Sequence, residues 1–229
     1  MANIEGERAK HRAAQIDSIK RVASHLIAEK GADGLSLRAV AREIGVVSSA
    51  LYRYFANRDE LLTALIYDAY NDLGASVERS EARISRSDCR RRWAVTCRAV
   101  RRWARSHPHE FSLLYGTPVP GYRAPKTTIE AASRVVIVMG EILSDSTIAS
   151  SHGRSVRRSR DVAAFLDVDG LARILPGVPE DFYVRALMAW TLIFGSISFE
   201  LFGHYVGSVN SPGRLFDEVV EELGELLGI

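Results

Sequence analysis

Few side chains in this 229-residue sequence stand at spacings that would support covalent chemistry. An enzyme needs a nucleophile beside a base, a carboxylate pair or a metal cluster. The sequence carries no GxSxG, no HExxH and no glycine-rich phosphate loop. Cys89 and Cys97 are eight residues apart in a stretch that reads as one helix. At about 1.5 Å of rise per residue they would sit roughly 12 Å apart, beyond disulfide reach. No further cysteine and no HxxxH pair completes a metal site. His107, His109 and His204 read as local hydrogen-bonding residues. No catalytic activity, metal or cofactor is expected.

The specific signal lies in Leu37–Phe55 and concerns geometry. Two short helices that cross steeply over a tight turn need a small residue at closest approach and a permissive residue in the turn. Ala41 and Gly45, four residues apart, meet both needs. Val40, Ile44, Val46 and Leu51 are spaced to fill the wedge between the helices. Ser36 is a fair N-cap for the first of them, Leu37–Ile44, and Gly45 stops it. The second runs from about Ser48 to Phe55. Such a pair can lay its second helix in the major groove of DNA.

The elements that must position this pair are helical. Ile16, Ile19, Val22, Ala23, Leu26 and Ile27 recur at three- and four-residue steps ahead of it, closed by Gly31 and Gly34. After it, Asn57 or Asp59 opens a long helix that buries Leu61, Leu62, Leu65, Ile66, Ala69, Tyr70, Leu73 and Val77. Polar Arg79–Ser87 reads as a break. A fifth helix, about Asp88–Ser106, ends at His107-Pro108, because proline disfavours the helical conformation of its predecessor. A short helical turn (Glu110–Leu114), a loop (Gly116–Gly121) and a helix (Thr127–Leu143) follow. Ser144–Arg160, rich in Ser and Arg, reads as a mobile loop. Two helices, Glu180–Tyr205 and Arg214–Leu227, close the chain. The expected fold is all-α: a three-helix helix-turn-helix domain over residues 1–60, then a helical bundle over residues 61–229.

Residues 14–62 resemble the N-terminal domain of the TetR family of bacterial regulators. The resemblance is carried by Ser36-Leu37-Arg38-Ala39-Val40-Ala41, Gly45-Val46, Leu51-Tyr52-Arg53-Tyr54-Phe55 and Asn57-Arg58-Asp59-Glu60-Leu61-Leu62. Farther on, Arg102–Phe111 and Leu114–Gly121 are similar to the C-terminal domain of one actinobacterial-type branch. The resemblance implies a DNA-binding transcriptional regulator, usually a repressor released from a palindromic double-stranded operator by a small-molecule effector. A regulator that answers to a protein partner, or to no effector, is the alternative.

The resemblance also implies roles for residues. Ser36, Arg38, Tyr52, Tyr54 and Arg58 would contact phosphates, which fix register. Ser48, Ser49, Ala50 and Arg53 would lie near base edges, which carry sequence preference. Phe55 reads as core. Val47 departs from the family pattern, standing where a Ser or Thr usually caps the recognition helix. Losing that cap would cost about 1 kcal/mol unless Ser48 or Ser49 takes the role. Arg8, Lys10, His11 and Arg12 read as a tail, either a solubilising leader or an arm reaching the minor groove.

In the remaining two-thirds, Tyr67, Tyr70, Trp93, Trp103, Phe111, Tyr115, Trp190 and Phe194 supply aromatic surface for core and for an effector pocket. Trp190, Phe194, Ile197 and Leu201, with Phe216, Val219, Val220 and Leu223, would form a four-helix homodimer interface, as the family resemblance implies. Net charge is +2 but uneven: residues 81–160 carry sixteen Lys/Arg against six Asp/Glu, and residues 161–229 carry three against eleven. That imbalance permits polyanion binding without demonstrating it. The arginines of the fifth helix, on several of its faces, are expected to pair with acids or line the surface. Met1–Arg12 lacks the order of a signal peptide, and the apolar run Ala186–Phe199 is too short to span a bilayer. A cytoplasmic protein without a membrane partner is the default.

Overall fold

The computed structural model describes the backbone of residues 2–149 and 162–229. Among the described residues there are helices and turns but no strand. In chain order the helices are α1 (Ala2–Lys30), α2 (Leu37–Ile44), α3 (Ser48–Leu51), α4 (Arg58–Glu81) and α5 (Cys89–Ser106), then α6 (Pro108–Tyr115), α7 (Ile129–Ala149), α8 (Val168–Ile174), α9 (Tyr183–Leu201) and α10 (Pro212–Leu227). The chain forms two units, residues 1–69 with 109–128 and residues 70–108 with 129–229. The boundary expected after residue 60 lies inside α4.

In the first unit α1 buries Ile19, Ala23, Leu26 and Ile27 along one face. It reaches back to Ala2, so the basic stretch Arg8–Arg12 is helical where a tail was expected. The ends of α2 are set by its flanking residues. Ser36 Oγ accepts the Ala39 N–H at 3.1 Å. Gly45, at φ 79°, turns its own N–H to the Arg42 carbonyl (3.2 Å) and that of Val46 to the Ala41 carbonyl (3.0 Å). This double closure satisfies carbonyls that a helix end leaves orphaned. A side chain in that left-handed conformation would cost about 1–2 kcal/mol.

Val40, Ala41 and Leu51 are buried as the wedge requires. Val46 is not: it is 42% exposed, because the turn at Gly45 carries it outward. The α-helical part of α3 is one turn, Ser48–Leu51, shorter than expected. Tyr52–Tyr54 continue as turn, with the Leu51 carbonyl accepting both Tyr54 N–H (2.8 Å) and Phe55 N–H (3.0 Å). Neither serine moves into the capping position. Val47 is the N-cap, in extended conformation, and gives no side-chain bond. α4 starts with a reciprocal cap: Asn57 Oδ1 accepts Glu60 N–H (2.8 Å) while the Glu60 carboxylate accepts Ala56 N–H (2.5 Å). The unit is completed by α6, whose Phe111 is fully buried, and by the following loop, where Tyr122 and Thr63 share a hydroxyl hydrogen bond of 2.9 Å.

α5 is the spine of the second unit, burying Trp93, Cys97, Val100 and Trp103. Burial pushes the Cys97 thiol pKa up, which keeps it protonated and inert. Arg92 is 1% exposed and held by the Glu81 carboxylate, by Asp145 at 2.6 Å and by the Arg86 carbonyl at 3.2 Å. Asp145 explains why α7 continues to Ala149 where a loop was expected from Ser144; residues 150–160 of that expected loop lie outside the described residues. α8 was not anticipated; its N-cap Asp167 accepts the Gly170 N–H at 2.9 Å.

The residues expected at a dimer face divide by burial. Phe194, Ile197, Phe216, Val220 and Leu223 are buried in the unit's own core, and Trp190, Leu201 and Val219 are half-buried. α9 is apolar around its circumference, so periodicity could not say which side faces inward. α9 and its C-cap Phe202 leave an exposed apolar row, Met188, Leu192, Phe199 and Phe202, at steps of four, seven and three, with Leu187 exposed beside it. The helical stretch Glu180–Leu201, 22 residues long, is long and apolar enough to cross a membrane by length and composition, where the apolar run alone was expected to be too short. A core or interface helix passes the same test.

Two stability effects follow. Val47→Thr supplies the missing cap and raises the unfolding free energy in urea by about 1 kcal/mol. Burial pushes the Asp145 carboxyl up, but hydrogen bonds and charge from Arg92 and Arg86 outweigh it and hold the pKa below its usual value. A depressed folded-state pKa stabilises above the unfolded value, near about pH 4, and that stability is lost as pH falls through the lowered value. Asp145→Asn weakens the charged hydrogen bonds from Arg92 and Arg86, lowers stability at pH 7 by about 1.5–3 kcal/mol and flattens the acid limb of a stability-against-pH curve.

Candidate nucleic-acid interface

The small-residue turn puts α3 on the outside of the first unit. Leu51 and Phe55 point inward, 2% and 5% exposed, while Ser49, Tyr52 and Arg53 are exposed and Ser48 and Ala50 half-buried. Ser36 and Arg38, at the start of α2, are also exposed. The Ser36 oxygen that caps α2 still has a proton to donate outward. Seven of the nine residues expected at the interface thus belong to two adjacent outward segments, 36–38 and 48–53.

The other two carry additional tasks. Tyr54 is half-buried, and the Arg12 guanidinium lies over its ring at 5.4 Å while donating to the Arg53 carbonyl at 3.4 Å. Arg58 is partly buried: Nε donates to the Leu35 carbonyl (3.0 Å) and Nη2 to the Ala32 carbonyl (2.9 Å). It ties the start of α4 to the connection between α1 and α2, which leaves Nη1, 3.6 Å from Asp59, as its outward group.

Two features were missed in the sequence. The helical N-terminal stretch forms a groove of about 660 Å³ with the end of the recognition segment, lined by Glu7, Arg8, His11, Arg12, Arg53 and Tyr54. The basic run Arg8–Arg12 was visible, but its helical continuation from α1 was not. Val47, 71% exposed beside the recognition turn, is an apolar group of the kind that packs on a thymine methyl.

Residues 19–65 match the family described as bacterial regulatory proteins, tetR family, and residues 93–223 match the tetracyclin repressor-like C-terminal domain. The chain belongs to the TetR family. The HTH-type transcriptional regulator Rv1816 of Mycobacterium tuberculosis is 40% identical over 195 residues, 82% of each chain. Among solved structures, the protein SCO4313 matches with a TM-score of 0.77 and 32% identity, over 94% of this chain and 97% of that one. A protein from Rhodococcus sp. RHA1 matches with a TM-score of 0.66 and 25% identity, over 93% of each. This TetR protein is therefore a DNA-binding transcriptional regulator, and the all-α expectation holds. Its curated relatives are regulators, not enzymes.

TetR membership does not by itself locate an effector. Of the eight aromatics expected near one, Tyr67, Phe111 and Tyr115 belong to the first unit, and Tyr70, Trp93, Trp103, Trp190 and Phe194 to the second. No pocket inside one unit takes all eight. Phe111 pairs with Tyr115 (5.1 Å between centroids) and Trp190 with Phe194 (4.1 Å). Trp103 donates its indole N–H to Asp72 (2.7 Å) and stacks on His107 (5.0 Å).

Arg58→Ala is expected to cost stability as well as DNA affinity. Losing two charged hydrogen bonds from a partly buried site lowers the urea unfolding free energy by about 1.5–2 kcal/mol. Unchanged unfolding would show that the two carbonyls do not depend on it.

Proposed function

We propose that this TetR regulator is a homodimeric, cytoplasmic repressor that grips a near-palindromic operator and is released by a small molecule. The observation that carries the reading is the outward set Ser49, Tyr52 and Arg53 on α3 and the turn after it, a segment whose other face, Leu51 and Phe55, is sealed in the core. Short side chains at Ser48, Ser49 and Ala50 let the helix sit deep in the major groove, with Arg53 able to reach a guanine edge. Ser36, Arg38, Tyr52, Tyr54 and Arg58 hold phosphates on either side and set register.

One recognition helix reads one half-site, so a dimer reads two, spaced by about one helical turn or a small multiple of it. The exposed row Met188, Leu192, Phe199 and Phe202 supplies the apolar surface for that pairing, with Gly195 between them permitting close approach. The effector acts by population shift. It favours a separation of the two heads that no longer matches successive grooves, and α4, one helix shared by both units, carries the change.

Operator selection on purified protein, followed by binding at several salt concentrations, tests this. Arg38→Ala should weaken all sequences alike and lower the slope of log K against log salt by about 1. Ser49→Ala or Arg53→Ala should change the selected sequence. An unaltered consensus in both variants would move base readout away from α3.

A further inference from the structure

A half-enclosed cavity of about 290 Å³ lies wholly within the second unit, walled by α5, α7, α8, α9 and the end of α10. It contains only two of the expected aromatics, Trp93 and Trp190. The indole nitrogens of those two are the only polar side-chain atoms among its lining residues, and Trp93 Nε1 already donates to the Val220 carbonyl at 2.9 Å. No lining residue is charged. Four arginines of α5 are engaged elsewhere: Arg90 with Glu221 (2.7 Å), Arg92 with Asp145 (2.6 Å), Arg98 with Asp217 (2.8 Å) and Arg101 with Glu200 (2.7 Å). A carboxylate or phosphate entering the cavity would lose its hydration with no cation to replace it.

We infer that this cavity binds an uncharged, mainly hydrocarbon molecule. An apolar cavity of about 150 Å³ stays dry and holds benzene, so one about twice that size suits a guest on the order of ten carbons. Ile174 on α8 and Leu187 on α9, the lining residues with exposed side chains, mark its mouth. Recognition here comes from shape and apolar contact, which separates neutral ligands from their ionised counterparts more sharply than it separates neutral ones from each other. The inference rests on the effector reading only for its regulatory consequence.

The test titrates the full chain at pH 7 with 1-decanol and, in parallel, with decanoate, reading tryptophan emission and calorimetric heat. Binding of 1-decanol at least tenfold tighter than decanoate is expected, because no charged residue lines the wall, and Trp93 and Trp190 report it. Ala186→Phe and Leu171→Phe, which fill the cavity from α9 and α8, should each weaken 1-decanol at least tenfold while operator binding survives. The second variant alters a half-buried position on a short helix, so it keeps the test open if the first fails to fold. Equal binding of the two probes, no binding of 1-decanol, or undiminished binding in a folded variant would overturn the inference. Operator release is read separately: 1-decanol that binds without releasing DNA supports the ligand class and removes the effector reading.

Discussion

The DNA-facing surface of this regulator depends on the closure of α2 at Gly45. A helix of four residues has no stability of its own, since nucleation costs more than one turn of hydrogen bonds returns. α3 exists because the left-handed turn spends the Ala41 and Arg42 carbonyls on Val46 and Gly45 N–H groups and aims the chain back at the core. Leu51 and Phe55 can then be buried with Val40 and Ala41. Serines 48 and 49 and Arg53 are positioned by that burial and contribute little to it. These outward residues are consequently free to vary, while the residues behind them are constrained by packing.

Charge is the second organising term, and its distribution along the sequence is misleading. The basic excess over residues 81–160 suggests a polyanion footprint, yet much of it is neutralised inside the second unit. α5 meets α10 in antiparallel order, Arg90 with Glu221 and Arg98 with Asp217, while Arg101 and Arg105 share Glu200. The acidic C-terminal segment is the counterpart of the arginine-rich helix. The cations presented outward near the recognition segment, Arg8, Arg38 and Arg53, are the ones that can shape the field seen by DNA.

Legibility in the sequence followed how local the cause was. The bounds of α2 were readable because Ser36 and Gly45 each act within a few residues. The end of α5 was readable through the proline beyond it, while its cap, Asp88 accepting the Arg91 N–H, shows only in the structure. The length of α3 was not, since its end is set by burial of Leu51 and Phe55. The end of α7 was hidden because Asp145 is anchored by Arg92, 53 residues away. The faces of α9 and the walls of the cavity were the least legible. An all-round apolar helix gives no phase, and aromatic residues mark core as readily as a pocket.

Within the second unit the wall of the cavity is tied to α4. Arg134 on α7 lies across α4: its guanidinium meets the Glu78 carboxylate at 2.6 and 2.7 Å and the Asn71 side chain and carbonyl at 2.8 and 2.9 Å. That approach requires Gly74, where a Cβ would stand 2.7 Å from Arg134 Nε. α7 also carries Met139 and Leu143 in the cavity wall, about one and a half and two and a half turns beyond Arg134. A guest that displaces this wall moves a helix clamped to the second half of α4. α4 runs without interruption from Arg58 to Glu81, and Arg58 holds the connection between α1 and α2. The clamp passes a small shift of α7 on to this part of α4, since packed helices respond by rigid displacement and not by local yielding.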